Sequence, residues 1–183
     1  MNIKFDPVIY EGRPVDCKGR LDKEIRTYDL LERLDIPFQR MDHEPAENMA
    51  ACMELDGTMG VSHCKNLFLR NTQKTKFFLL LLPESKKFRT ALLSKQIGSA
   101  RLSFAEEEFM LKYMDITPGS VSIMGLMNDM ENQIQLLIDE TVLEDEYMGC
   151  HPCVNTSSMK IKTSDILDKF LKYTGHNYIK VSL

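Results

Sequence analysis

A chain of 183 residues, 43% of them hydrophobic and 27% charged, has the composition of an ordinary globule and the length for one domain with a real core. No apolar run approaches the ~20 residues of a membrane span. The longest, Phe77–Leu82, is too short for a signal-peptide core and is not N-terminal, so no membrane partner and a cytoplasmic location are expected. The net charge of −4 argues against a general nucleic-acid binder or a DNA partner, whose footprint is basic, but is compatible with contact to one nucleic-acid end through a few local cations.

Residues 1–20 hold two prolines and two glycines without a period and read as an N-terminal arm; a single domain over residues 21–183 follows. Leu21, Ile25, Tyr28, Leu31 and Leu34 recur at helical spacing, predicting a helix from Asp22 to Asp35 stopped by Pro37, then a short strand from Phe38 to His43. After Pro45, Ala46–Leu55 reads as a second helix. Asn66–Arg70 and Lys76–Leu82, joined by five polar residues, predict a hairpin, and the unbroken apolar run Phe77–Leu82 predicts a strand buried on both faces.

Phe88–Ile97 is expected to be a helix closed by Gly98, and Ser103 with Glu106 a capping box opening the next one. Val121–Leu126 and Gln133–Ile138 are expected as paired strands around an Asn128-Asp129 turn. A second box, Thr141 with Glu144, predicts a short helix ending at Gly149. Met159–Ile161 reads as a strand, Ser164 as the cap of a helix through Tyr173 stopped by Gly175, and Tyr178–Leu183 as a terminal strand. Hairpins with helices inserted between them, without regular βαβ alternation, make the fold class α+β, with a mixed, mainly antiparallel sheet and helices packed around it.

Three segments carry groups suited to chemistry. Lys65 and Asn66 follow His63-Cys64 where a loop enters a strand; lysines at strand ends are usually solvated, yet an ammonium beside an amide can also hold a phosphate or an ester. His151, fixed between Gly149-Cys150 and Pro152, reads as an acid/base or as a ring capping a backbone carbonyl. Pro118-Gly119 reads as a turn, or as a point of close backbone approach to a substrate carbonyl. The five cysteines are an odd set and read as reduced thiols. Cys150 and Cys153, with His63 and Cys64, could supply zinc ligands or a redox pair, but a single Cys-x-x-Cys is a weak signal, so no metal and no cofactor are expected.

Five stretches, CKNLFLR (64–70), KFFLLLLP (76–83), SARLSFA (99–105), TPGSVSIMGLMND (117–129) and GCHPCVNTSS (149–158), together resemble the YbaK/ProX (PrdX) family, in the family's order and across roughly residues 21–183. These are free-standing relatives of the bacterial prolyl-tRNA synthetase editing domain. The resemblance implies an editing-domain-like fold and a trans-editing hydrolase that deacylates mischarged aminoacyl-tRNA, with alanyl-tRNA(Pro) as the expected substrate. Its partners would be the acceptor end of mischarged tRNA(Pro) and, as a further candidate, prolyl-tRNA synthetase. It implies catalytic roles for Lys65, Gly119 and His151, and substrate contacts from Asn66, Ser120, Ser122, Ile123, Asn155 and Thr156. Ile123 stands where the family's loop carries proline, so the shape of the amino-acid pocket is expected to differ here. Two other readings are a non-catalytic module binding an aminoacyl or tRNA end, and a Cys/His metal or thiol sensor.

Overall fold

The computed structural model describes residues 8–45, 55 and 57–183. The helix expected over 46–55 lies, Leu55 aside, outside the described residues. Two sheets form the frame. The five-stranded sheet has the order β5 (Leu102–Phe104), β3 (Cys64–Asn71), β4 (Phe77–Pro83), β6 (Ile134–Asp139), β9 (Tyr178–Val181). The four-stranded sheet has the order β1 (Tyr10–Glu11), β2 (Phe38–Asp42), β8 (Ser157–Lys162), β7 (Tyr147–Cys150). The arm thus supplies an edge strand, Tyr10 opposite Arg40.

Strand β4 shows why this order holds. Phe77, Leu79 and Leu81 enter the main core between the sheets, whereas Phe78, Leu80 and Leu82 enter a second cluster with Leu69, Leu93 and Leu102 under the helix Thr90–Gln96. A strand apolar on both faces belongs in the middle of a sheet, and β4 lies there. The main core is closed by α1 (Asp22–Arg33), through Tyr28 and Leu31, and by Ile166 and Phe170 of the C-terminal helical stretch. The inward face of α1 is Glu24, Thr27, Tyr28 and Leu31, while Leu21 is exposed. Glu24 is tolerated because Arg20 and the Tyr28 hydroxyl both donate to its carboxylate.

Several expected elements take another form. Val121–Leu126 is no strand: a 3-10 helix spans Ile123–Asn128, capped by Ser122, whose Oγ accepts from Met124 N–H at 3.2 Å. Gly125 allows this turn to lie on the preceding helix end, since a Cβ there would sit 2.5 Å from Ile116 and 2.9 Å from Met114. Strand β6 therefore has no hairpin partner upstream and pairs in parallel with β4 and β9. Neither capping box forms. Ser103 lies in β5, and Glu106 instead accepts from Arg70, which with Lys74 holds its carboxyl down to about 2. Asp139, not Thr141, caps the helix Glu140–Glu144, which ends before the strand Tyr147–Cys150 rather than at Gly149.

Candidate active site

The two sheets meet where β3 begins and β4 ends, through a bridge between His63 and Gly149. Gly149 permits the approach: a Cβ on it would stand 3.0 Å from Cγ and Nδ1 of His63. Beside this junction lies a cavity of about 230 Å³ lined by His63, Cys64, Lys65, Asn66, Glu84, Gly119, Val121, His151 and Ser158, with Leu55. Lys65, Asn66, Gly119 and His151, drawn from three distant segments, thus come together at one site.

The pleat separates the Lys65-Asn66 pair. Asn66 shares the face of Cys64 and Phe68, toward the main core, whereas Lys65 shares the face of Leu67 and Leu69. Asn66 Nδ2 donates to the Cys64 carbonyl at 2.9 Å, which identifies the remaining buried atom, Oδ1, as an acceptor with no partner among the described residues. Lys65 also lines the cavity, and its Nζ donates to the Lys86 carbonyl at 2.9 Å, leaving two further ammonium protons.

His151 Nδ1 faces the Ser157 carbonyl at 3.0 Å and must carry a proton to donate there, so the neutral ring holds its lone pair on Nε2. Its ring lies 5.5 Å from that of His63, stacked at 30°, and 6.2 Å from that of His43. His43 donates through Nδ1 to the Glu44 carbonyl and accepts through Nε2 from the Ser158 hydroxyl, 3.0 Å away. Burial, reinforced by the neighbouring His63, pushes the His43 pKa below its ordinary value, so this ring stays neutral. Of these three clustered imidazoles His63 and His151 line the cavity and His43 is buried behind them; nothing in the spacing of 43, 63 and 151 announces the cluster.

Gly119 has φ +86°, the left-handed region, and a side chain there would also meet Asn155 Nδ2 at 3.5 Å. Gly119 and Val121 border the cavity, whereas the N–H of Ser120 is spent on the Thr117 carbonyl at 3.1 Å. Ser122 is fully buried and donates to the His151 carbonyl at 2.6 Å, so it ties two walls together and does not reach a ligand. Ile123 does not line the cavity; its side chain is fully buried in the main core, because the 3-10 turn rotates it inward. Asn155 sits behind Gly119, and Thr156 is exposed, its carbonyl accepting from His43 N–H.

Cys150 and Cys153 belong to the main core and do not line the cavity. Burial raises both thiols, Cys153 to about 11, which disfavours the thiolate that metal binding and redox exchange need. Among the described residues no three His, Cys, Asp or Glu side chains are grouped to hold a metal ion.

A family model described as the aminoacyl-tRNA editing domain matches residues 43–169. The prolyl-tRNA editing protein ProX of Acetoanaerobium sticklandii is 28% identical over 153 residues, spanning 84% of this chain and 93% of that protein. The prolyl-tRNA synthetase associated domain-containing protein 1 of Danio rerio is 26% identical over 171 residues, 92% of this chain and 89% of that one. A crystal structure of a candidate trans-editing enzyme for prolyl tRNA synthetase superposes with a TM-score of 0.65 over 89% of this chain and 98% of its own, at 14% identity, a likeness of fold.

Proposed function

Since the chain belongs to the aminoacyl-tRNA editing domain family, in its YbaK/ProX branch, we propose that it hydrolyses the ester between a wrongly attached amino acid and the 3′ end of a tRNA, with alanyl-tRNA(Pro) as its substrate. The observation that carries this reading is the convergence of Lys65, Asn66, Gly119 and His151 on one cavity of about 230 Å³. The need is chemical: a synthetase pocket shaped for proline rejects a smaller side chain by only ~1–3 kcal/mol per missing methylene, so a second, smaller sieve removes the error.

In this reading no side chain forms a covalent intermediate. Lys65 offers its ammonium to a phosphate or ribose oxygen of the terminal adenosine, and Asn66 Oδ1 accepts from the substrate. A water placed near the ester attacks its carbonyl, and the proton it loses passes by way of the His151 ring to the departing ribose oxygen. The main chain at Gly119 comes close enough, without a Cβ, to face the developing oxyanion. Prolyl-tRNA synthetase is a candidate partner in delivering the substrate.

The test is a panel of mischarged tRNAs incubated with purified protein. Alanyl-tRNA(Pro) should be deacylated faster than prolyl-tRNA(Pro) and alanyl-tRNA(Ala). No hydrolysis of any member, together with measurable tRNA binding, would favour the non-catalytic module.

A further inference from the structure

Lys65 lines the cavity from the face of β3 that carries Leu67 and Leu69, and its flexible four-carbon stem needs something to fix the ammonium at its end. We infer that Lys86 positions Lys65, through a side chain anchored on the buried Asp139 carboxylate and a main-chain carbonyl that takes the Lys65 ammonium. This rests on the reading of the cavity as an ester-cleaving site.

Lys86 has three polar groups, and all are engaged. Its N–H donates to the Pro83 carbonyl at 3.1 Å, which folds the loop after β4 into a turn. Its carbonyl accepts from Lys65 Nζ at 2.9 Å. Its own Nζ donates to Asp139 Oδ1 at 2.8 Å. Loops of this kind are usually mobile at the surface, yet here Glu84, two residues back, lines the cavity.

The anchor is itself held. Asp139 is 0% exposed, accepts from Thr141 N–H at 3.1 Å and from the N–H of Leu183 at 3.0 Å, and ends β6, an interior strand of the sheet. Burial opposes its ionisation, but Lys86 and these two N–H groups outweigh burial and keep the carboxyl below its ordinary pKa. A charge fixed in the sheet thus fixes Lys86, and the Lys86 main chain fixes the head of Lys65. Lys86 does not touch the substrate in this scheme and is a positioning residue.

The decisive variant is Lys86→Met, which keeps the stem and removes the ammonium. The Lys65 ammonium cross-peak in a 15N-edited NMR spectrum should be sharp in the parent, broaden by exchange in Lys86→Met and sharpen again in Lys86→Arg. Deacylation of alanyl-tRNA(Pro) should fall on the order of a hundredfold in kcat/KM, since a misplacement of about 1 Å at a reacting group costs that much, and Lys86→Arg should recover most of it. Should the unpaired Asp139 prevent folding, the Lys86→Met, Asp139→Asn pair removes both charges and takes its place. A parental Lys65 signal in the Met variants overturns the inference, as does a lowered Tm with parental rate. The two readings fail separately: a parent that cleaves no ester overturns the hydrolase assignment, while the NMR signal still decides the role of Lys86.

Discussion

Gly149→Ala tests whether the packing of the sheet junction sets the geometry of the histidine wall. The added methyl would stand 3.0 Å from Cγ and Nδ1 of His63 and 3.1 Å from its Cδ2, so the ring must recede by a few tenths of an ångström. The main chain cannot yield instead, because Gly149 is paired with Lys160 in the sheet and bridged to His63. Overpacking of this kind costs about 1–3 kcal/mol. Replacing a strand glycine at ordinary φ returns about 0.5–1 kcal/mol of chain entropy, so the net loss is about 0–2.5 kcal/mol. For a domain of this size that lowers Tm by no more than about 10 °C, at about 2–4 °C per kcal/mol. Activity should suffer more, because the displaced ring is stacked on His151 at 5.5 Å. A tenfold or larger fall in kcat/KM for alanyl-tRNA(Pro), about 1.4 kcal/mol of transition-state stabilisation, is expected. Thermal melting and single-turnover deacylation read the two effects apart. A variant with parental rate and a lowered Tm would refute the idea that the His63–His151 stack shapes the site, and a double variant with His63→Ala should recover the Tm in either case.

Lys65→Ala should abolish most deacylation while moving Tm little, since the residue is half-buried at a strand end; early melting would make it structural. Ile123→Ala should destabilise by about 2–5 kcal/mol, as a large-to-small change in a packed core, and leave the ratio of alanyl- to prolyl-tRNA(Pro) deacylation unchanged, whereas a relaxed ratio would put Ile123 back at the substrate. Cys150→Ser with Cys153→Ser should remain active without added metal, and in the parent both thiols should resist alkylation at pH 8 under native conditions; stoichiometric zinc lost together with activity on chelation would reverse this. Burial alone would raise the Asp129 carboxyl, but His176 and the N–H groups of Gln133 and Ile134 outweigh it and hold its pKa below the ordinary value. Its folded state therefore binds a proton less readily than the unfolded chain, so this stabilisation is complete above about pH 4 and disappears as pH falls through the depressed folded value. Tm should drop more steeply between pH 4 and 2 in the parent than in Asp129→Asn, and parallel curves would exclude Asp129 as the cause.

What the sequence disclosed depended on whether a feature was local. The burial of β4 on both faces was readable because six consecutive apolar residues leave no solvent face, and the hairpin with β3 because five polar residues join the two runs. The direction of β6 was not readable: an isolated six-residue strand looks the same paired either way, and its parallel seat follows from the course of 123–128. That stretch reads as a strand from Val121 and Ile123, yet Ser122 caps a turn and Gly125 lets it press on Met114. The first capping box matched a pattern whose Glu106 has stronger partners in Arg70 and Lys74, and the second gives way to Asp139 as the cap. At the site, the Lys65-Asn66 adjacency is visible in the sequence, whereas their division between opposite faces follows only once both are known to lie within the strand. Three histidines far apart in sequence could meet only once the sheets were placed.

The correction at Ile123 changes where specificity must reside. With that side chain in the core, this part of the cavity wall is made by Gly119 and Val121. Ser122 Oγ donates to the carbonyl of His151 while accepting from Met124 N–H, so the segment bearing Gly119 and the segment bearing His151 are joined through one hydroxyl. The His151 ring is in turn held to β8 by the Ser157 carbonyl, and Tyr28 meets the Ser157 hydroxyl at 3.0 Å from the core side. Two walls of the cavity are therefore coupled by a chain of hydrogen bonds, which resists widening of the space between them. Substituting Ser122 should then loosen selection for small esters more than trimming any apolar side chain nearby.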